Sequence, residues 1–160
     1  MKGQYIVQQG AVCKHTNFII SGCTKNFYVD QQGQEHIVTF AIENWWSADL
    51  SSFITQTPSD FNVKCIEATE VIQFTYLNQD EIFQNIPKME TLFRKLLEKA
   101  LVSSQKRIVN NFSLSAKDQY LYFKKQYSNI EQRVPQYMVA SYLGITKEFL
   151  SKIKTELAKD

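Results

Sequence analysis

Residues 136–160 read QYMVASYLGITKEFLSKIKTELAKD, and they decide the fold. With Gln136 as position 1, apolar residues fall at positions 4, 8, 10, 15 and 18: Val139, Leu143, Ile145, Leu150 and Ile153. Ala140, at position 5, supplies a small side chain where two helices must touch; Gly144, at position 9, supplies a turn residue free of Cβ strain. The pattern is that of two short helices joined by a tight turn, a helix-turn-helix. Thr146 is placed to cap the second helix, because its hydroxyl can accept from a first-turn N–H. Beyond it, Phe149, Leu150, Ile153 and Leu157 make one apolar stripe at helical spacing. The opposite face carries Lys147, Glu148, Ser151, Lys152 and Thr155. A hydrogen-bonding, partly cationic face of this kind suits a DNA major groove. An ordinary helical hairpin shares the same apolar spacing, so charge has to separate the two readings.

The charge is strongly divided. The whole chain of 160 residues carries a net charge of +2. Residues 1–86 hold four Lys/Arg against nine Asp/Glu, whereas residues 87–160 hold fourteen against seven. The basic half therefore coincides with the helix-turn-helix, as phosphate contact requires. From Thr146 onward the balance is more modest, with Lys147, Lys152, Lys154 and Lys159 facing Glu148, Glu156 and Asp160.

Composition narrows the class. At 44% hydrophobic and 21% charged residues, the chain reads as globular protein, large enough for one sizeable domain or two small ones. It has no apolar run of transmembrane length and no secretory h-region, so no membrane partner is expected. Cys13, Cys23 and Cys65 are scattered, odd in number and without a CxxC pair. Reduced thiols in a cytoplasmic protein, with no metal and no cofactor, are the expectation. A cupin-like metalloenzyme needs clustered His and carboxylate ligands. Only His15 and His36 are available, so no catalytic residues are assigned and the chain is not expected to be an enzyme.

Upstream, the acidic half reads as β. Residues 4–8, 17–20, 25–29, 35–40, 62–66 and 71–76 are short β-branched or aromatic runs, separated by turn signals such as Gln9-Gly10 and Asp30-Gln31-Gln32-Gly33. Many short strands at this spacing suggest a barrel or jelly roll. Asn78, with Glu81 three residues on, resembles a capping box opening a short helix. Pro87 then starts a long one. Along it Met89, Leu92, Phe93, Leu96, Leu97, Ala100, Leu101, Ile108 and Phe112 form an apolar band too wide for one partner. Such a helix packs on its own β domain and on a second copy of itself, giving a two-fold dimer. Met89, Leu92, Phe93, Leu96 and Ala100 are the expected interface. Ser113 and Ser115 flank a break, residues 116–127 form a further helix, and residues 128–133 loop to Pro135.

The order of these parts resembles the Crp/Fnr family of transcription regulators. FIISGCTKNFYVDQQGQEHIVTF (18–40) looks like the family's β-hairpin, FRKLLEKALVSSQKRI (93–108) like its central helix, and RVPQYMVASYLGITKEFLSKIK (133–154) like its DNA-binding signature. The resemblance implies an α+β fold in three parts. They are an N-terminal double-stranded β-helix or jelly roll of the cyclic nucleotide-binding type (1–86), a long dimerisation helix (87–114) and a C-terminal helix-turn-helix domain (115–160). The family's first helix has no counterpart, so either a truncated product or a short gene model is expected, and the family's β-wing is expected to be missing or very short.

The effector site departs from the family as well. Members that bind cyclic AMP hold its ribose with a Glu and its phosphate with an Arg; laid without gaps on residues 46–65, those positions fall on Asp49 and Ser59. Asp49 can still accept a ribose hydroxyl, but without the Arg a phosphate loses its bidentate partner. Lys64 is the point charge that could replace it. Weak or absent cyclic nucleotide binding is therefore expected, and Trp46, Asp49, Ser59, Phe61 and Lys64 outline a pocket for a small, partly apolar effector or for none. Trp45 and Phe53 belong to the same aromatic group, which could equally fill the roll.

The function implied is that of a homodimeric transcription regulator. Its recognition helix spans about 146–157, and it binds double-stranded DNA at a near-palindromic operator, with RNA polymerase as a further partner. Lys147, Lys152 and Glu148 are the expected base-edge readers, Ser151 a base or phosphate contact, and Thr146 and Gln136 phosphate contacts. The competing reading is a ligand-sensing or protein-interaction module with weak or vestigial DNA binding.

Overall fold

The computed structural model describes residues 2–127 and 129–159. Its N-terminal half holds seven strands: β1 (Tyr5–Val7), β2 (His15–Ser21), β3 (Thr24–Val29), β4 (Glu35–Ala41), β5 (Trp46–Ser47), β6 (Asn62–Cys65) and β7 (Glu70–Thr75). They form two antiparallel sheets, one of order β1-β6-β3-β4 and one of order β5-β2-β7. The β-branched and aromatic runs thus close into a roll, with β4 at one edge. The β2–β3 corner turns at Gly22, whose φ is +101° and where an added Cβ would meet Ala68 O at 2.5 Å; no other residue fits.

Within the roll, two short elements escaped the sequence reading. One is the two-residue strand β5. The other is α1 (Leu50–Thr55), capped by Asp49, whose side chain accepts from Ser52 N. After the roll come α2 (Tyr76–Asn85) and α3 (Pro87–Ser113). The cap of α2 is Thr75, whose side chain accepts from Asn78 N, rather than Asn78 itself. Thr75 ends β7 and so adopts the extended backbone that a cap needs, three residues before Asn78. Pro87 opens α3, and Ser115 caps α4 (Ala116–Gln126), its hydroxyl accepting from Asp118 N. Part of the expected loop is helical: α5 spans Ile130–Arg133, with Ile130 fully buried. Ser128, in the same expected loop, lies outside the described residues.

Last come α6 (Gln136–Leu143) and α7 (Lys147–Leu157). Between them Gly144 adopts the left-handed conformation, with φ of +68°, and Ile145 N donates to Ala140 O. This closes α6 with a glycine cap and sets the angle at which α7 leaves. Thr146 caps α7, accepting from Phe149 N at 3.2 Å.

The main core lies between the roll and the C-terminal helices, not inside the roll. Phe27, Ile37 and Phe40 of β3 and β4 pack with Tyr120, Phe123, Tyr127, Val139, Tyr142, Leu150 and Ile153 in one cluster. Phe40 is its hub, with ring centroids 5.8 to 6.2 Å from Phe123, Tyr127 and Tyr142. The roll itself has a smaller cluster of Val7, Cys13, Phe53 and Val63. It also has buried polar side chains that satisfy one another. Asn17 donates to Ser47 O (2.9 Å) and accepts from Gln73 (2.8 Å), the Thr24 and Ser47 hydroxyls share a hydrogen bond of 2.8 Å, and Asn26 donates to Ala48 O (3.0 Å).

Candidate functional site

The α6–turn–α7 unit presents one face outward. Leu150 and Ile153 are the buried residues of α7 and anchor it on α6 and the shared core. Lys147, Glu148, Ser151, Lys152 and Thr155 are all exposed, as is Gln136 at the start of α6. Thr146 uses its oxygen to cap the helix, which leaves its O–H as a donor. Lys154 turns away from that face and pairs with Glu131 of α5 at 3.1 Å. Glu131 also accepts from the Tyr120 hydroxyl at 2.7 Å. Burial, followed by that carboxylate, pushes the Tyr120 phenol above its ordinary range. The network ties the back of α7 to α4 and α5. Phe149 differs from the sequence reading. It lies outside the buried stripe, 47% exposed in the first turn of α7, because the α6 and core contacts are filled by Leu150 and Ile153.

Of the expected effector pocket, Asp49, Ser59 and Phe61 are brought together, whereas Trp46 and Lys64 engage other partners. Asp49 is 4% exposed and already committed: its Oδ1 accepts from Ser52 N (3.1 Å) and its Oδ2 from the Ser59 hydroxyl (2.7 Å). Ser59 in turn accepts from Phe61 N at 3.1 Å. Lys64 extends over the Tyr5 ring, 4.7 Å from its centroid. Trp46 packs on Phe18, Phe74 and Phe93 with ring centroids 5.2 to 5.4 Å apart, tying the second sheet to α3. Trp45 leaves the group and stacks on Tyr127, while Phe53 is buried against Tyr76. A recess of about 330 Å³ lies on α3 among Lys95, Glu98, Lys99 and Val102, and a cleft of about 20 Å³ lies near Arg107 and Asn110; none of the five pocket candidates lines either.

Helix α3 has no buried residue along its 27 positions. Met89, Phe93 and Leu96 are half-buried, and Phe93 contacts both Trp46 of the roll and Phe83 of α2. Leu92 and Ala100 are exposed. A second exposed apolar stripe runs along the C-terminal half through Leu101, Val102, Ile108, Val109 and Phe112, the last 88% exposed.

Polar contacts between the roll and the C-terminal helices were not legible in the sequence. Arg133, at the end of α5, donates through both terminal nitrogens to the Glu43 carboxylate, at 2.8 Å each, and through Nε to Glu67 at 3.1 Å. Glu43 also accepts from Gly22 N at 2.8 Å. The guanidinium holds the Glu43 carboxyl at a pKa of about 2 and is itself pushed above its ordinary value, chiefly by Glu43. Ser141 of α6 donates to Glu35 O (2.8 Å) and accepts from Ile37 N (3.1 Å). Arg107 of α3 donates to Ile37 O, Val38 O and Tyr142 O, and its guanidinium lies 4.0 Å from the centre of the Tyr142 ring. Beneath Arg133, burial pushes the Cys23 thiol up to about 12. Among the described residues there is no cluster of His, Cys, Asp and Glu that could hold a metal ion, and no helix long and apolar enough to cross a membrane.

This architecture has known counterparts. Residues 1–86 match the model of the cyclic nucleotide-binding domain. The whole chain is similar in structure to the c-di-GMP responsive global regulator CLP of Xanthomonas campestris, at 14% identity and a TM-score of 0.78 over 99% of this chain and 84% of that one. It is similar to FixK2 from Bradyrhizobium japonicum, at 12% identity and a TM-score of 0.81 over 99% and 81% of the two chains. A protein from Eubacterium rectale, assigned to the Crp/Fnr family of transcriptional regulators, aligns at 13% identity with a TM-score of 0.70, over 95% of this chain and 73% of its own. No curated protein matches the chain by sequence.

Proposed function

The chain belongs to the cyclic nucleotide-binding domain family, and on that premise we propose that it is a homodimeric DNA-binding transcription regulator of the Crp/Fnr type. The observation that carries the proposal is the free face of α7. Lys147, Glu148, Ser151, Lys152 and Thr155 stand exposed on a helix whose opposite side is buried through Leu150 and Ile153 and paired with α5 through Lys154. Two such helices, related by a dimer axis, would enter successive major grooves roughly 34–36 Å apart. Lys147 and Lys152 then supply guanine-edge or phosphate contacts, Glu148 accepts from a cytosine amine, and Ser151 adds a base or phosphate contact. Gln136 and Thr146 donate to phosphates near the N-termini of α6 and α7. RNA polymerase is a partner consistent with that role.

Duplex binding by the full chain tests the reading. A DNA regulator loses affinity steeply as salt rises, and Lys152→Ala costs roughly 1–3 kcal/mol if that lysine reads a base. A flat salt response would instead favour a ligand-sensing or protein-interaction module, which the modest charge of α7 also suits. The proposed regulator does not respond to cyclic AMP. Asp49 is buried and engaged, its Oδ1 by Ser52 N and its Oδ2 by the Ser59 hydroxyl, so a ribose finds no exposed carboxylate there, and with Ser59 in place of an Arg a phosphate finds no guanidinium. Calorimetry with cyclic AMP and cyclic GMP should show no micromolar binding; such binding would refute this part.

A further inference from the structure

Resting on the DNA reading proposed for α7, we infer that Phe149 reads a thymine methyl group, giving each half-site one position selected by an apolar contact. Residue Phe149 has the chemistry of a core position but is not used as one. Leu150 is fully buried and Ile153 is 3% exposed, whereas Phe149 is 47% exposed. A single exposed phenylalanine is unremarkable on a protein surface; its place in the helix gives this one a role. Thr146 accepts from Phe149 N, which puts the ring in the first turn of α7. In a groove-bound recognition helix, that turn carries the residues that meet base edges. Glu148 precedes Phe149, and Lys152 lies three residues on, sharing its side of the helix. The ring therefore borders the same outward face as the two charged readers.

The major groove offers such a ring one apolar partner. Each base pair shows donors and acceptors there, and thymine alone adds a C5 methyl group. A phenyl side chain makes no hydrogen bond with a base edge, so its preference has to be for that methyl. The polar neighbours would discriminate among purines and cytosine, and Phe149 would discriminate thymine from the rest.

The test uses duplexes recovered by the full chain from a random-sequence library. Each thymine in the recovered site is then replaced, one at a time, by uracil. Uracil keeps every hydrogen-bonding edge and lacks only the methyl. At one position per half-site the replacement should weaken binding roughly three- to fivefold, the size expected for losing one buried methyl. Phe149→Ala should bind thymine and uracil duplexes equally at that position, while keeping the steep salt response. Phe149→Leu should retain part of the discrimination. If uracil is tolerated at every position, or if Phe149→Ala loses the same factor as the parent chain, the inference fails while the DNA reading stands. If the library yields no enriched sequence, the DNA reading fails and this inference falls with it.

Discussion

Arg133 shows how much a single side chain can hold. It reaches across 90 positions of sequence to Glu43 and across 66 to Glu67, binding two loops of the roll to the end of α5. The Glu43 carboxyl sits at about 2 in the folded chain, against 4.5 for an unperturbed one. A carboxyl depressed on folding contributes stability that is complete above its unfolded value and fades as pH falls through its folded one. The contribution of Glu43 should thus be full at neutral pH and decline between roughly pH 4.5 and 2. Thermal melts of the parent chain and Glu43→Gln should differ most at neutral pH and converge near pH 2. Sequence patterning reveals Lys147, Glu148, Ser151 and Lys152 because their roles depend on position within one helix. Arg133, Arg107 and Ser141 are invisible to it, because their partners are brought near by the fold. Phe149 differs for a related reason: periodicity places it in the stripe but does not show which stripe residues reach the core.

Among the elements, α3 has the most to explain. Its roll-facing side is only half covered, through Phe93 on Trp46 and Phe83. Its far side repeats apolar residues seven apart, Leu101 with Ile108 and Val102 with Val109, and Phe112 follows. A seven-residue repeat keeps one seam facing a partner helix, so the dimer seam proposed here runs along the C-terminal half of α3. Leu101→Glu with Ile108→Glu should yield monomer by sedimentation, with the helical circular dichroism of each chain largely kept, whereas Phe93→Glu should disturb the contact with Trp46 of the roll instead. A dimer that survives the double substitution would place the seam elsewhere. The long helices and all six expected strands were legible because each carries a full period of pattern. The strand β5 and the helix α1 were not: two residues make no alternation, and six residues rich in Ser and Thr make no stripe.

At the scale of the whole molecule, the roll and the C-terminal helices share one hydrophobic cluster, from Phe27 and Phe40 to Leu150 and Ile153. Two parts that share a core should melt together. Near-ultraviolet and far-ultraviolet signals should therefore fall in a single transition; two separated transitions would show that the parts are independent. The same packing has a consequence for solubility. Strand β4 is a sheet edge, and edges carry unpaired backbone groups that seek other strands. Here Ser141 takes the N–H of Ile37 and the carbonyl of Glu35, and Arg107 takes the carbonyls of Ile37 and Val38. Helix α6 of the proposed DNA-binding unit and helix α3 thus also serve as the guard on this edge. A molecule whose helices swing free would present β4 to its neighbours and begin to aggregate, so the closed arrangement protects each chain from its own copies.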